Sequence, residues 1–352
     1  MSLLDDTLDA IPAPDLAAAA EAQRRLDGKT KPPRSLGRLE ELACTLASIR
    51  GSADLELPKK ALVVMAGDHG VADEGVSAFP QEVTAQMVLN FARGGAGINV
   101  LARRVGAQVV VVDMGVKGAL PPMAEVRSVR IGPGTRNATL GPAMTEEEAV
   151  RAIEAGIALA GELAGQGVGL LGIGEMGIAN STSASALTAA YTGAGPAEVT
   201  GRGTGIDDAR HAHKVQVVTR MLQANPVDGW DPVRTLATLG GFEIAGLAGV
   251  VLGAAARRVP VLVDGFIATA AALAAVRISP RARYAVIASH QSVEGGHRHL
   301  LRALEARPLL DLDLRLGEGT GAALAMGLVD ASVAVLLEMA TFEAAGVSGA
   351  SA

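Results

Sequence analysis

The feature that most restricts the fold is a repeated order of apolar run, glycine-rich turn and helix. Continuous apolar runs occupy 61–66, 108–112, 168–171, 259–263 and 284–288, and a glycine or a polar residue follows each of them. Runs without polar alternation are typical of strands buried on both faces, as in parallel sheets. Strand–loop–helix units repeated in this way predict an α/β protein with an open sheet and right-handed crossovers.

Caps and helix breakers place the helices between these strands. Ser35 and Thr145 are predicted N-caps, because Ser and Thr side chains satisfy free N–H groups at helix starts. Gly94-Gly95 is expected to interrupt one long helix, and Gly240-Gly241 a helical region that Asp231-Pro232 opens. The predicted helices cover 15–28, 36–50, 80–103, 146–164, 184–190, 207–223, 266–277, 322–328 and 330–345.

Composition narrows the class of protein. The 352 residues carry a net charge of −6 and only 2% are aromatic, which argues against a nucleic-acid surface. No apolar run reaches the ~18 residues of a membrane span. The N-terminus lacks a signal-peptide pattern, so we expect a cytoplasmic protein that does not bind a membrane. The single cysteine, Cys44, excludes a disulfide within one chain and is expected to be a small core residue.

The stretch 168–183 is the strongest local candidate for a binding site. Its apolar run ends in Gly172 and Gly174, and Asn180 and Ser181 precede a helix-forming run. A strand, a glycine-rich turn and a helix N-terminus together form a site for anions, above all phosphate. A capped loop without a ligand is the alternative. The spacing matches neither a P-loop nor a dinucleotide fingerprint.

Several polar residues follow the predicted strands and should therefore gather at one edge of the sheet. They are Asp68, His69, Glu175, Asn180, Asp264, Ser289 and His290. Ligands of open α/β sheets bind outside the carboxyl ends of the strands, so the glycine-rich loops are expected to face one crevice. This convergence favours an anion-binding enzyme.

Three charged side chains are functional candidates, two of them with simpler alternatives. Glu318 lies among three glycines before a helix, where it is either a general base or a stabiliser of the first helical turn. Lys214 follows a second glycine-rich turn, 200–208, and either reaches an anion or is a solvated surface lysine. Glu175, inside the proposed anion site, suits ribose hydroxyls or a cationic ring better than a phosphate.

Taken together, these loops resemble one family, the nicotinate-nucleotide–dimethylbenzimidazole phosphoribosyltransferases, which make the lower-ligand nucleotide of cobalamin. The resemblance extends over residues 15–345 and rests on long motifs. These are Thr30-Lys31-Pro32-Pro33, Ser35-Leu36-Gly37-Arg38-Leu39-Glu40, Gly67-Asp68-His69-Gly70-Val71, Glu74-Gly75-Val76-Ser77, Pro80-Gln81-Glu82-Val83-Thr84, 172–182, Gly203-Thr204-Gly205, Asp264-Gly265-Phe266, 290–297 and Leu316-Gly317-Glu318-Gly319-Thr320-Gly321. Arg34 stands where the family pattern usually has a glycine.

The resemblance implies a reaction and an architecture. The reaction transfers a 5-phosphoribosyl group from nicotinate mononucleotide to 5,6-dimethylbenzimidazole, giving α-ribazole 5'-phosphate and nicotinate, with no cofactor or metal. The architecture is a homodimer. Each chain is expected to have a large domain, 55–325, with a Rossmann-like, mostly parallel sheet flanked by helices, and a smaller helical domain formed by 1–54 and 326–352.

The resemblance also assigns residues. Glu318 corresponds to the catalytic glutamate, Glu175 to a second active-site glutamate and Lys214 to an active-site lysine. Phe79 and Met87 stand where some members have polar residues in the pocket for the base, so another benzimidazole or a phenol is an alternative acceptor. The other predicted substrate-binding residues are Gly174, Gly177, Asn180, Ser181, Thr182, Gly203, Thr204, Gly205, Asp264, Ser292, Glu294, Gly295 and Gly317.

Two other functions remain open from the sequence. Asp68, His69 and Asp264 are the residues of a metal-dependent phosphatase, although no familiar metal motif accompanies them. The second is a catalytically silent protein that binds a nucleotide or a corrinoid. Loss of activity with a chelator would indicate the first, and no release of nicotinate with any acceptor would indicate the second.

Overall fold

The computed structural model describes residues 2–118, 120–203, 205–227 and 231–348. Its strands are β1 (Lys59–Gly67), β2 (Ala107–Gly115), β3 (Val126–Ser128), β4 (Val168–Met176), β5 (Val261–Val263), β6 (Val286–Ala288), β7 (His290–Gln291) and β8 (Leu310–Asp311). Its helices are α1 (Leu3–Ala10), α2 (Leu16–Asp27), α3 (Arg38–Arg50), α4 (Val83–Ala92), α5 (Gly97–Arg104), α6 (Glu146–Gly165), α7 (Asn180–Thr192), α8 (Pro196–Val199), α9 (Asp208–Ala224), α10 (Pro232–Leu239), α11 (Phe242–Ala256), α12 (Phe266–Ile278), α13 (Gly295–Ala303), α14 (Thr320–Glu338) and α15 (Phe342–Ala345). Short 3₁₀ helices span Gly70–Glu74 and Pro280–Ala285.

Within the described residues, six strands form one sheet in the order β3-β2-β1-β4-β5-β6, and every neighbouring pair is parallel. This confirms the predicted open α/β sheet. The strand order reverses between β1 and β4, and this topological switch point is where open sheets of this kind bind ligands. A separate small sheet pairs β7 with β8.

Helices cover both faces of the sheet, which explains why its strands are apolar throughout. Along β1, Val63 and Met65 belong to the core shared with α6, α11 and α12, while Leu62 and Val64 belong to the core shared with α2, α3 and α14. All four side chains are fully buried. Successive residues of a strand point to opposite faces, so each position of such a strand has to be apolar.

Glycines let α6 and α11 cross in close contact. A Cβ at Gly156 would lie 1.9 Å from the carbonyl oxygen of Gly246, and one at Gly249 would lie 1.9 Å from that of Ile153. A larger residue at either position would force the two helix backbones apart. The close α6–α11 pair forms much of the first core.

Several predicted helix boundaries are confirmed. Thr145 caps α6 in a capping box with Glu148. Gly94-Gly95 separates α4 from α5, and Gly240-Gly241 separates α10 from α11. Glycine readily adopts backbone conformations outside the helical region, so a pair of glycines can end one helix and allow the next to begin in a new direction.

Four predictions about element ends are wrong. Helix α3 begins after Gly37, so Ser35 is not its cap. Strand β4 continues to Met176, and α7 begins at residue 180, behind Ala179, with no capping side chain. The strand predicted from 284 begins at 286, because a 3₁₀ helix occupies its first two residues. The helices predicted at 322–328 and 330–345 are instead one continuous helix, α14, from 320 to 338, followed after a break by the short α15.

Helix α14 is long and apolar enough to cross a membrane by length and composition, but more than half of its apolar window is buried inside the protein. Ala322, Ala325, Met326 and Val329 are 0% exposed and belong to the second core. A buried core helix of this length gives the same signal. The domain boundary predicted at 325 falls inside α14, and the division into two domains stays a prediction.

Candidate active site

The loop before α14 holds three consecutive residues in the left-handed backbone region. Gly317, Glu318 and Gly319 have φ angles of 82°, 63° and 90°. Glycine adopts this region freely, whereas a residue with a side chain is strained there by about 1–3 kcal/mol. The backbone therefore requires the two glycines, and the one strained side chain between them is a glutamate.

Asp264, directly after β5, holds this loop in place. Its Oδ2 accepts the N–H of Gly319 at 3.0 Å, and its Oδ1 accepts those of Gly321 at 2.7 Å and Ala322 at 3.3 Å. The carboxyl group therefore caps α14, where helix N–H groups lack partners. Burial raises the pKa of Asp264 to about 7, against the lowering effect of these hydrogen bonds. Both oxygens of Asp264 are thus engaged by the backbone that directly follows Glu318. In this structure Asp264 therefore holds the loop that positions Glu318.

The carboxyl group of Glu318 lies at the N-terminus of α5. Its Oε2 accepts the N–H of Ile98 at 3.3 Å, and the residue is 5% exposed. Burial raises the pKa of Glu318, while the hydrogen bond from Ile98 acts in the opposite direction. A carboxylate with a raised pKa and a single long hydrogen bond is suited to accept a proton.

Glu175, near the end of β4, faces the same loop. A Cβ at Gly317 would lie 2.5 Å from Glu175 Oε1, so a larger residue there would displace this carboxyl group as well as strain the left-handed backbone. The side-chain amide of Asn180 donates to the other oxygen. Burial raises the pKa of Glu175 to about 8, and the neighbouring carboxyl groups of Asp264 and Glu318 add to this effect. Several buried carboxyl groups in one place favour a cationic ligand or transition state.

Gly174 and Gly177 make room for neighbouring backbone. Gly174 lies inside β4, and a Cβ there would lie 2.1 Å from the backbone nitrogen of Gly319. A Cβ at Gly177 would lie 2.3 Å from the carbonyl oxygen of Gly67. The predicted turn beginning at 172 is therefore strand as far as Met176, and its glycines let the Glu318 loop contact that strand directly.

Lys214, from α9, reaches the N-terminus of α7. Its Nζ donates to Ser181 Oγ at 2.9 Å, and the residue is 1% exposed, which excludes the surface lysine that the sequence left open. Burial lowers the pKa of Lys214 to about 8, while Glu294 acts to raise it. Thr182 Oγ1 is buried with no hydrogen-bond partner in the described part of the chain. An ammonium group, a hydroxyl and a helix N-terminus together suit an anion.

A second glycine-rich loop lies over this end of α7. Glu294 Oε1 accepts the N–H of Gly203 at 2.9 Å, and a Cβ at Gly203 would lie 2.8 Å from Ser181 Oγ. Gly205 is left-handed, with a φ of 95°. Thr204, a predicted site residue between these glycines, lies outside the described residues. The Cβ at Gly203 would also lie 3.1 Å from Lys214 Nζ, so the backbone of this loop packs against both the lysine and the helix end.

The segment before α13 meets the same loop. The Ser292 hydroxyl accepts the N–H of Glu294 at 3.3 Å, and the Ser292 N–H donates to His297 Nδ1 at 2.9 Å. Burial lowers the pKa of His297 to about 3, so its ring is neutral and free to accept that hydrogen bond. Gly295 begins α13. These contacts fix the backbone around Glu294.

The two side chains predicted for the base pocket lie on and before α4. Phe79 is 54% exposed, and Met87 is half-buried against the second core. Leu316, beside the Glu318 loop, is 61% exposed and would lie 3.1 Å from a Cβ at Gly97. Exposed apolar surface near Glu318 suits a flat ring, and the assignment of Phe79 and Met87 to it stays a prediction.

The residues of the phosphatase alternative are bound to protein groups. Asp68 is 1% exposed and His69 is 0% exposed, and His69 lies between Ser183 and Glu243. Among the described residues, no three His, Cys, Asp or Glu side chains are arranged to hold a metal ion. The sequence analysis missed Glu243, although an acidic residue in the first turn of an otherwise apolar helix was a usable signal.

The chain is similar to known enzymes over its whole length. A family described as phosphoribosyltransferase matches residues 11–347. The nicotinate-nucleotide–dimethylbenzimidazole phosphoribosyltransferase of Chloroflexus aggregans is 58% identical over 351 residues, which are 99% of each chain. That of Geobacter metallireducens is 56% identical over 347 residues, which are 99% of this chain and 98% of its own. The chain belongs to the nicotinate-nucleotide–dimethylbenzimidazole phosphoribosyltransferase family.

The fold agrees with this family. A crystal structure of the nicotinate-nucleotide–dimethylbenzimidazole phosphoribosyltransferase from Thermus thermophilus matches with a TM-score of 0.90 and 48% identity, covering 96% of this chain and all of that one. The family resemblance predicted from the sequence motifs is therefore confirmed. The roles that this resemblance gives to Glu318, Glu175 and Lys214 stay predictions, and the geometry described above is the basis for arguing them.

Proposed function

We propose that this chain transfers the 5-phosphoribosyl group of nicotinate mononucleotide to 5,6-dimethylbenzimidazole or a related base, giving α-ribazole 5'-phosphate and nicotinate. The reaction belongs to assembly of the nucleotide loop of cobalamin. The observation that carries the proposal is the buried Glu318 carboxyl group, which Asp264 holds on a left-handed loop. The names of full-length relatives support the choice of substrates.

Glu318 is the general base of the proposed reaction. When one nitrogen of the benzimidazole attacks the anomeric carbon, the other nitrogen has to lose its proton, and Glu318 accepts it. The hydrogen bond from Ile98 stabilises the carboxylate before the transfer, and burial favours the uncharged, protonated form afterwards. A hydrogen bond of 3.3 Å leaves the oxygen free to take a closer partner.

The donor needs no general acid. Its nicotinate ring is a pyridinium, so departure with the bonding electron pair neutralises the ring nitrogen. Attack opposite this leaving group inverts the β-linkage to α, and the ribosyl carbon gains positive charge in the transition state. Glu175 stabilises that charge, because the bound cation lowers the raised pKa of the buried carboxyl group and favours its ionised form.

The phosphate of the donor binds at the N-terminus of α7. Lys214 and Ser181 already contact each other there, and the free hydroxyl of Thr182 supplies a further donor. A phosphate dianion beside Lys214 raises its pKa and keeps it an ammonium ion. The remaining residues that we assign to the donor site are Gly174, Gly177, Asn180, Gly203, Thr204, Gly205, Ser292, Glu294, Gly295 and Gly317.

The proposal also covers the pocket for the acceptor base, the oligomeric state and the domain organisation. Phe79 and Met87 give the acceptor pocket an apolar character, which favours a flat benzimidazole over a more polar base. The protein acts as a homodimer in the cytoplasm. Its large domain is 55–325, and its small domain is formed by 1–54 and 326–352. The packing of α3 against α2 and α14 supports this division, although their core also includes Leu62 and Val64 of β1.

Replacing the proposed base tests the function directly. Glu318→Gln removes the proton acceptor and keeps the shape, so turnover falls by about 10²–10⁴-fold while donor binding is kept. The measurement is nicotinate release from nicotinate mononucleotide, with product mass for a panel of benzimidazoles, purines and phenols.

Glu305→Gln is the matched control, because Glu305 is also a left-handed glutamate but is exposed. Turnover of Glu318→Gln close to that of the unmodified protein would contradict the proposal. A chelator has no effect under this mechanism, whereas loss of activity on dialysis against one would favour the phosphatase alternative.

The phosphate site has its own test. The double variant Ser181→Ala/Thr182→Ala weakens donor binding by about 1 kcal/mol for each hydrogen bond lost, measured by calorimetry with nicotinate mononucleotide. Thr192→Ala is the control, because this hydroxyl lies at the far end of α7 and bonds only to backbone, donating to the carbonyl oxygen of Thr188 and accepting the N–H of Ala194. An unchanged donor affinity in the double variant would place the phosphate elsewhere.

A further inference from the structure

Asp68 and His69 directly follow β1 at the switch point, and we call them the Asp68-His69 junction. The mechanism above uses neither side chain. They are 1% and 0% exposed. Burying an ionisable side chain is unfavourable unless it gains hydrogen bonds. Both residues have such partners, and the partners belong to different elements around the site.

The His69 ring joins the donor side of the site to α11. Its Nδ1 lies 2.9 Å from Ser183 Oγ, in the first turn of α7 and two residues beyond Ser181. Its Nε2 lies 2.7 Å from Glu243 Oε1, in the first turn of α11. The other oxygen of Glu243 lies against Gly241, where a Cβ would be 2.7 Å away, and it has no hydrogen-bond partner among the described residues. The ring is therefore held at both nitrogens.

The Asp68 carboxylate connects the junction to the acceptor side of the site. Its Oδ1 accepts the hydroxyl hydrogen of Thr84 at 2.8 Å, and its Oδ2 accepts the N–H of Lys117 at 2.7 Å. Thr84 lies on α4, the helix that carries Met87. The hydroxyl oxygen of Thr84 also accepts the N–H of Ile178 at 3.1 Å, in the turn before α7. One buried hydroxyl thus connects α4 to the turn that leads to the phosphate site.

We propose that Asp68 and His69 are positioning residues that set the distance and angle between α4, on the base side, and the N-terminus of α7, on the phosphate side. The proposal rests on the proposed function for which substrate lies on which side. Displacement at a carbon needs the reacting atoms about 3–3.5 Å apart and in line, and a shift of about 1 Å costs on the order of 100-fold in rate. Buried side chains with every polar atom engaged keep such a separation constant.

Ser183→Ala tests the His69 branch. It releases the first turn of α7 from the ring, so KM for nicotinate mononucleotide rises by about fivefold or more while KM for the base is unchanged. Thr188→Ala is the matched control, because this hydroxyl is equally buried on the same helix but bonds only to the carbonyl oxygen of Ala184. Equal donor KM values for the two variants would overturn the assignment of this branch.

Thr84→Val tests the Asp68 branch. It keeps the side-chain shape but removes the hydroxyl, so the two substrates bind out of line and kcat falls by about tenfold or more. Thr84→Ser keeps the hydroxyl and restores kcat. If Thr84→Ser is as slow as Thr84→Val, the hydroxyl is not the operative group and the inference is wrong. If Thr84→Val does not fold, as judged by circular dichroism, Ser183→Ala decides alone.

The two proposals fail in different ways. If Glu318 is not the base, Glu318→Gln keeps its turnover whatever the junction variants do. If the junction does not position the substrates, Ser183→Ala and Thr84→Val keep both kcat and KM, while Glu318→Gln still loses turnover.

Discussion

Left-handed backbone at residues with a side chain marks two kinds of position in this protein. At Glu318, which lies between two left-handed glycines, the φ is 63°, and the proposed chemistry requires the strained side chain. Arg34 has a similar φ of 59°, but it is an exposed loop residue at a position where the family pattern usually has glycine. No described hydrogen bond holds its guanidinium group. The same backbone geometry therefore serves the proposed chemistry at Glu318 and only lowers stability at Arg34.

Arg34→Gly should stabilise the protein. Glycine removes a left-handed strain of about 1–2 kcal/mol and loses part of that gain to its greater freedom in the unfolded chain, so we expect a net gain of about 0.5 kcal/mol. The measurement is the free energy of unfolding in urea. Gly37→Ala is the converse control: its φ is 50° and no atom lies within 4 Å of the added Cβ, so its cost is conformational alone. A loss of stability in Arg34→Gly would contradict this account.

At the scale of elements, the site is built from strand ends and helix starts. Strand β1 leads into the Asp68-His69 junction, β4 carries Glu175 one residue before its end, and β5 leads into Asp264. Helices α5, α7 and α14 begin beside them, with N–H groups that need acceptors. Asp264 supplies the acceptor for α14, and Glu318 supplies one for α5. The carboxyl groups of the site therefore also serve as caps, which couples the chemistry to the start of each helix.

Asp264→Asn should reduce both stability and activity. The amide of Asn has only one oxygen to accept hydrogen bonds. Its NH₂ group would face a backbone N–H that Asp264 accepts in the unmodified protein, so that N–H would lose its acceptor. We expect a loss of about 1–3 kcal/mol in unfolding free energy. Turnover should fall by about tenfold or more, because the Glu318 loop is released.

Asp207→Asn is the control for this variant. Asp207 caps α9 by accepting the N–H of Arg210 at 2.8 Å, and Asn is as good an N-cap as Asp. If Asp264→Asn were as mild as Asp207→Asn in both stability and turnover, the proposed hold of Asp264 on the loop would be wrong.

At the scale of the whole molecule, buried ionisable groups make stability depend on pH. Burial lowers the pKa of His290 to about 4 and that of His297 to about 3. At neutral pH His290 is therefore uncharged, although its Nδ1 lies 3.6 Å from Asp264. Burial raises the pKa of Glu175 to about 8 and that of Asp264 to about 7. Compared with the unfolded chain, the folded chain therefore binds protons more weakly at His290 and His297 and more tightly at Glu175 and Asp264.

These shifts predict a plateau of stability at mildly acidic pH. The unfolded chain binds extra protons at the histidines below their ordinary pKa of 6.5, so their effect lowers stability as the pH falls through that value. The folded chain keeps protons at Glu175 and Asp264 above their ordinary values of 4.5 and 3.8, so their effect lowers stability as the pH rises towards 8.

The two effects oppose each other between pH 4.5 and 6.5, and above 6.5 the acids dominate until the pH approaches 8, where the lowered pKa of Lys214 begins to act in the opposite direction. Urea midpoints should therefore be flat in the first interval and fall in the second. Glu175→Gln should make the second fall shallower, since it removes one of the buried acids whose pKa is raised. Midpoints that rise between pH 6.5 and 8 would contradict the assigned shifts.

The sequence by itself determined the layered α/β fold and the family. Apolar runs without alternation are enough to predict strands buried on both faces, because the two cores of a parallel sheet each take every second residue. The glycines around Glu318 also marked an unusual turn in the sequence, because steric limits on the backbone depend only on a residue and its close neighbours. Long motifs then identified the family, which whole-chain similarity confirms.

Only the tertiary structure decided what each polar residue contacts. Asp264 lies 55 residues from Gly319, and His69 lies 114 residues from Ser183, so no local pattern connects them. Lys214 could not be distinguished from a surface lysine until α9 was seen to place it against α7. The physical reason is that local sequence fixes the conformation of a few neighbouring residues, whereas burial and hydrogen bonding depend on how the crossovers bring distant strand ends together.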